Sequence, residues 1–187
     1  MELKNTKLLF IYRSFLFRFV EFQTKNTDLE NIVHALNIKK RKQRIEFVYD
    51  EAIKAINTYY SNDLCKFIDN KCIAARKYKK DQINGCCRLC AYQNNTGCKV
   101  NNLSCKLFYC KAALENIKEL NINDIEILKC LNKRQRFILK SDYFSTREEV
   151  INDLYYGVII ATIRISYRLI KQFFSKRRYN AWTNKSK

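Results

Sequence analysis

The sequence predicts a mainly α-helical protein with an inserted cysteine-rich metal-binding loop. Its 187 residues include no proline and only three glycines, a composition that favours long helices over a turn-rich β fold. Six of its nine cysteines lie between Cys86 and Cys110, a thiol density typical of a metal site or a disulfide-stapled loop. The formal net charge is +18, which indicates an anionic partner.

We expect these features to belong to one compact domain. N-terminal helices fill residues 1–83, the cysteine-rich knuckle covers residues 84–110, C-terminal helices cover residues 111–178, and a basic tail follows at 179–187. Apolar residues at helical spacing predict the individual helices, with one or two between Thr27 and Tyr59. The other predicted helices lie at residues 7–22, 61–80, 108–120, 124–140 and 146–178.

The last predicted helix is amphipathic. It starts at a capping-box pattern from Ser145 to Glu148. Its apolar side carries Tyr155, Ile159, Ile163, Ile170 and Phe173. A stripe on the opposite side carries Gly157, Ala161, Arg164, Arg168 and Lys171. We expect the apolar side to pack into the core and the basic stripe to face water, with docking on a membrane surface as the alternative.

The cysteine spacing is close to that of a four-thiolate zinc site. Cys87 and Cys90 form a closely spaced pair after a glycine turn, while Cys105 and Cys110 form a second and wider pair. We predict that these four cysteines hold a structural zinc ion. Further candidate ligands are the neighbouring cysteines Cys72, Cys86, Cys98 and Cys65. We expect the remaining cysteine, Cys130, to be a small core residue.

Other chemistries of the cysteines stay open. Eight clustered cysteines exceed the need of one zinc ion, so an iron–sulfur cluster is the alternative, although neither ferredoxin spacing matches. Disulfides rank third, because a reducing compartment disfavours them. The Cys87–Cys90 spacing also fits a thiol-redox site, but no strand pattern precedes it. The single histidine, His34, excludes zinc fingers with paired histidines and zinc peptidases of the H-E-x-x-H kind.

Basic residues concentrate in two short runs and in the last helix. The predicted polyanion-binding residues are Lys39, Lys40, Arg41, Lys42, Arg44, Lys133, Arg134, Arg136, Arg164, Arg168 and Lys171. Nucleic acid and an anionic membrane surface would both be attracted to them. A merely solvated basic surface has the same composition, and a protein partner also stays open.

Neither apolar stretch of the sequence predicts export or membrane insertion. Arg13 and Arg18 interrupt residues 8–22, and residues 154–163 are too short to span a bilayer. We therefore expect a cytoplasmic protein, with peripheral membrane attachment as the alternative. The leading functional prediction is a non-enzymatic, zinc-stabilised module that binds nucleic acid or another partner. The alternatives are a peripheral membrane protein and an iron–sulfur or thiol-redox protein.

Overall fold

The protein is mainly helical, as its composition predicts. Its computed structural model describes residues 1–7, 9, 19–60, 64–66, 68, 72–77, 92–94, 97–98, 102–107, 109, 112–115 and 117–183, of which residues 75, 93–94, 97–98 and 175–183 are described as backbone only. The α-helices are α1 (Glu30–Asn37), α2 (Arg41–Tyr59), α3 (Ile73–Lys77), α4 (Leu103–Lys106), α5 (Lys133–Ser141), α6 (Arg147–Tyr156) and α7 (Val158–Thr183). Short 3-10 helices lie at Thr27–Leu29 and Glu126–Cys130.

A small hairpin interrupts the helices within the cysteine-rich region. The strands β1 (Gln93–Asn94) and β2 (Gly97–Cys98) pair antiparallel, with Asn94 opposite Gly97. The turn that the run of asparagine, threonine and glycine predicts falls on residues 95 and 96, which lie outside the described residues.

The core of the protein is built around α2. Its buried side carries Ile45, Val48, Tyr49, Ala52 and Ile56, which recur every three or four residues as a helix requires. It packs against α1, α4, α6 and the 3-10 helix at Glu126–Cys130. Buried residues from the first to the last helices join this cluster, so the N-terminal and C-terminal helices share one core.

Helix α6 starts at a capping box that is shifted by one residue from the predicted one. The hydroxyl of Thr146 accepts from the backbone N–H of Glu149, and the Glu149 carboxylate accepts from the N–H of Thr146. Ser145, the predicted cap, instead donates its hydroxyl to the carboxylate of Asp142. The pattern therefore locates the helix start to within one residue.

The predicted helix over residues 146–178 is two helices rather than one. Helix α6 ends at Tyr156, and α7 begins at Val158. Between them Gly157 has φ +100°, a conformation that glycine adopts readily and other residues rarely do. The break lets α7 fold against α5 and α6.

The other predicted helices differ from the structure where it describes them. The helix over 61–80 is reduced to α3, because residues 64–65 form a turn and Lys66 has φ +40°. Residues 112–115 and 117–120 form turns, bends and irregular chain rather than a helix. The helix over 124–140 is divided, because Asn132 and Gln135 form a capping box that starts α5. Most of the predicted helix over 7–22 lies outside the described residues.

Candidate functional site

Helix α7 turns its charged side inward and its apolar side outward. Ala161 and Ile165 are buried against the body of the protein, and Arg164 and Arg168 lie on the same side of the helix. The expectation that the apolar side packs into the core is therefore wrong. The reason lies in two carboxylates that the core presents to this helix.

Those carboxylates belong to Asp142 and Asp153, and neither side chain is exposed to solvent. The Nη2 atom of Arg168 lies 2.9 Å from Asp142 Oδ1 and donates a second hydrogen bond to Asp153 Oδ2. The Nε atom of Arg164 lies 2.7 Å from Asp153 Oδ1, close enough for a charge interaction although the two atoms are not aligned as a hydrogen bond. Two positive and two negative groups thus balance in one cluster, in which both carboxylates are buried and the Arg164 side chain is partly exposed.

Asp142 is held by the turn that follows α5. Ser145 donates its hydroxyl to the Asp142 carboxylate. The side-chain amide of Asn102 donates to the backbone oxygens of both Asp142 and Ser145, at 3.0 Å each. Asn102 also caps α4, so it links the end of the cysteine-rich region to the turn that carries Asp142.

Burial sets the electrostatics of the cluster. It raises the pKa of Asp142 to about 6, although the Ser145 hydroxyl and the Arg168 charge both oppose the rise. Burial also disfavours the charged form of Arg168, but the hydrogen bond that Arg168 donates to Asp153 and the negative charge of Asp142 outweigh this effect, so that the pKa of Arg168 is raised. The guanidinium therefore stays charged and holds the two carboxylates.

The outward face of α7 is apolar. It consists of residues that recur along one side of the helix: Ile159, Ile163, Tyr167, Ile170, Phe173 and Phe174. Ile159 is 79% exposed and Ile163 is 66% exposed, the values expected of surface residues rather than core residues. At roughly 100° per residue these side chains span about a third of the helix circumference, and between Ile159 and Phe174 no charged residue falls within that arc. The neighbouring Ile160 is also exposed.

The two basic runs flank the start of this face. The guanidinium of Arg41, in the first turn of α2, lies 5.5 Å from the ring centre of Tyr155. The side-chain amide of Gln135, in the first turn of α5, donates to the backbone oxygen of Leu154 at 3.2 Å. Both first turns therefore meet the last turn of α6, immediately before α7 begins. We call this region, with its cations Lys39, Lys40, Arg41, Lys42, Lys133 and Arg134, the basic surface; all six of these side chains are exposed.

The remaining predicted polyanion-binding residues lie in different surroundings. Arg44 is half-buried and donates to the backbone oxygen of Ile38 at 3.3 Å. Arg136 is half-buried and lies 3.4 Å from the Asn123 side-chain oxygen. Lys171 is exposed on the flank of α7. Arg164 and Arg168 are paired with the buried carboxylates of Asp142 and Asp153, so they do not belong to the basic surface.

The predicted zinc ligands lie mostly outside the described residues. Cys86, Cys87, Cys90 and Cys110 fall there, and Cys98 is described as backbone only in β2. Cys105 is half-buried in α4. Cys130 is half-buried and packs against the main core, as predicted. Within the described part of the chain, no three histidine, cysteine or acidic side chains meet to hold a metal ion, so the zinc site stays a prediction.

Two further cysteines contribute to a small second core. Cys72 is buried with Ala74 and Ala112, and Cys65 packs against them. The predicted helix would separate Cys65 from Cys72 by two turns, but the turn at residues 64–65 brings the Cys65 backbone oxygen within 2.8 Å of the Ile73 nitrogen. This second core is formed by residues on both sides of the cysteine-rich segment.

Sequence reasoning missed the residues that decide how α7 packs. Asp142 and Asp153 were not candidates, because nothing in the sequence pairs them with arginines 15 and 26 positions away. One signal was present. Arg164 and Arg168 share a face with Ala161, whereas the opposite arc carries no charge between Ile159 and Phe174.

Comparisons with other proteins add no family. The chain matches no protein-family model, and it is not significantly similar to any curated protein or solved structure. Among the described residues, no helix is both long and apolar enough to cross a membrane.

Proposed function

We propose that the protein is a non-enzymatic binding module that holds an extended polyanion on the basic surface at the junction of α6 and α7. The observation that carries this proposal is the convergence of two first turns, those of α2 and α5, on the last turn of α6. Their exposed cations then act on the same anionic partner rather than on separate ones.

The charges around the basic surface favour an anion. Neither α2 nor α5 has an acidic residue in its first turn, where a carboxylate would compete for the positive end of the helix. None of the six cations forms an ion pair with a described carboxylate. The carboxylate in the last turn of α6, that of Asp153, is held by Arg164 and Arg168 instead.

Salt-dependent binding tests the proposal. We expect the full chain to bind heparin, RNA or anionic vesicles with an affinity that falls steeply as salt rises. The variant Lys40→Gln/Lys42→Gln removes two cations of the basic surface and should flatten this dependence. The matched control, Lys54→Gln/Lys118→Gln, removes two cations toward the opposite end of α2, where the Lys118 backbone oxygen meets the Tyr59 hydroxyl. Equal losses in the two variants would mean that net charge alone acts, and would contradict a defined surface.

We also propose that the cysteine-rich segment binds a metal ion, with zinc favoured and an iron–sulfur cluster as the alternative. The cysteine spacing supports this, as does the size of the second core, in which the buried residues among those described are Cys72, Ala74 and Ala112. Such a core is too small to stabilise a segment alone, and small segments of this kind gain stability from a metal or disulfides. Metal analysis and a visible spectrum of protein purified without oxygen test the proposal, because a cluster absorbs visible light and zinc does not.

A further inference from the structure

We infer that the polyanion is an anionic membrane surface, and that the outward face of α7 inserts into its interfacial layer. This inference rests on the proposed function, because the basic surface supplies the attraction that brings the apolar face to the lipid.

The outward face is a continuous row of apolar side chains rather than a few isolated ones on the surface. Six large side chains, from Ile159 to Phe174, continue along one side of the helix over about 24 Å of its axis. Contiguous exposed apolar patches of this extent are uncommon on proteins that act alone in water, and they mark binding surfaces. The last two residues of α6, Tyr155 and Tyr156, are exposed as well.

The helix cannot turn this face inward at low cost. Rotating α7 about its axis to bury Ile163 and Ile170 would carry Arg164 and Arg168 away from the core. Asp142 and Asp153, which have no exposed surface, would then stay buried without counter-ions, a strongly unfavourable state. The face is therefore held outward, available to a partner.

The chemistry around the face fits lipid. An anionic bilayer offers phosphates to the exposed lysines and arginines and an apolar layer to the isoleucines and phenylalanines. Tyrosines such as Tyr155 and Tyr167 suit the boundary between the two. Nucleic acid would engage the cations but would leave isoleucine side chains without partners. A second copy would cover the apolar face but would bring a second set of cations to its rim.

The geometry also sets the orientation on the membrane. Because α7 packs along α5 and α6 on its other side, the helix lies parallel to the surface rather than across the bilayer. The basic surface at the start of α7 then reaches the headgroups at the same level.

The test compares the full chain with two double variants by sedimentation with vesicles. One vesicle set contains phosphatidylcholine alone, and the other contains added phosphatidylglycerol. The variant Ile163→Gln/Ile170→Gln removes two side chains from the outward face. The matched control, Ile68→Gln/Ile117→Gln, changes two exposed isoleucines elsewhere. Heparin binding of each protein reports the basic surface separately.

We expect the outward-face variant to bind phosphatidylglycerol vesicles about tenfold more weakly or worse, and to keep its heparin affinity. The control should match the unaltered chain in both assays. Unchanged vesicle binding by the outward-face variant would overturn the inference while leaving the proposed function intact. The inference would also be overturned if the unaltered chain were a dimer, and if the outward-face variant were a monomer that still bound the vesicles equally well. If the unaltered chain bound neither heparin nor phosphatidylglycerol vesicles, that result would overturn the proposed function instead.

Discussion

Arg168 and Asp153 form an ion pair whose carboxylate has no contact with solvent. The same guanidinium also reaches Asp142, so one arginine of α7 binds the end of α5 and the middle of α6 together. This relationship explains why α7 presents its isoleucines and phenylalanines to the outside. Buried carboxylates need a cation nearby, and that need outweighs the tendency of the apolar side to turn inward.

Replacing Arg168 by methionine should destabilise the protein strongly. Methionine keeps an unbranched side chain of similar reach but leaves Asp142 and Asp153 buried with only Arg164 beside them. Removing one partner of a buried ion pair costs about 3–5 kcal/mol. Urea unfolding followed by circular dichroism measures the change in the free energy of unfolding.

The matched control for this experiment is Lys171→Met, one turn further along the same helix. Lys171 is exposed, so its loss should change the free energy of unfolding by about 0.5 kcal/mol or less. Similar losses in the two variants would mean that the cluster does not hold α7.

Asp142 should make the stability depend on pH in an unusual direction. Its pKa is about 6 in the folded protein, because it is buried, against about 3.9 in an unfolded chain. The folded state therefore binds this proton more tightly. The contribution of Asp142 to stability is fully present below about pH 4 and is lost as the pH rises through about 6.

The variant Asp142→Asn isolates this effect, because asparagine does not titrate. We expect the stability of the unaltered chain relative to Asp142→Asn to rise, by on the order of 2 kcal/mol, as the pH falls from about 7 to about 4. A second variant, Ser145→Ala, removes a hydrogen bond that lowers the pKa of Asp142, so its transition should move to higher pH. If the free energy of unfolding changed with pH in the same way in all three proteins, the raised pKa of Asp142 would be contradicted.

The helical class and the start of α6 could be predicted from the sequence, because they depend on local chemistry. The absence of proline and the scarcity of glycine favoured helices, and the polar sequence around Thr146 located the start of α6 to within one residue. The break at Gly157 was not predicted, because an isolated glycine within an apolar helical pattern does not require a positive φ.

The orientation of α7 could not be predicted, because it depends on contacts between distant residues. A hydrophobic stripe shows which side of a helix avoids water, but not whether a core or a partner supplies the apolar surroundings. The orientation of α7 is decided by Asp142 and Asp153, whose burial is a property of the packed structure. For the same reason Arg164 and Arg168, assigned from sequence to a basic stripe in water, instead pair with these two buried carboxylates.

Serine substitution should separate metal ligands from other cysteines. We expect Cys87→Ser/Cys90→Ser to lose most of the bound metal, because both thiolates of one predicted pair are removed. Cys130→Ser should keep it, because that residue packs against the main core. Metal content per chain after gel filtration is the measurement, and full metal content in the double variant would contradict the predicted site.

The most direct test of the account places a fluorescent probe on the outward face of α7. The chain has a single tryptophan, so Ile170→Trp in a Trp182→Phe background reports from one position of the face. In buffer we expect emission typical of an exposed indole, with efficient quenching by acrylamide. Vesicles containing phosphatidylglycerol should shift the emission to the blue and protect the probe, whereas phosphatidylcholine alone should do so weakly. A probe that is already shielded in buffer, or one that does not respond to anionic vesicles, would contradict the account.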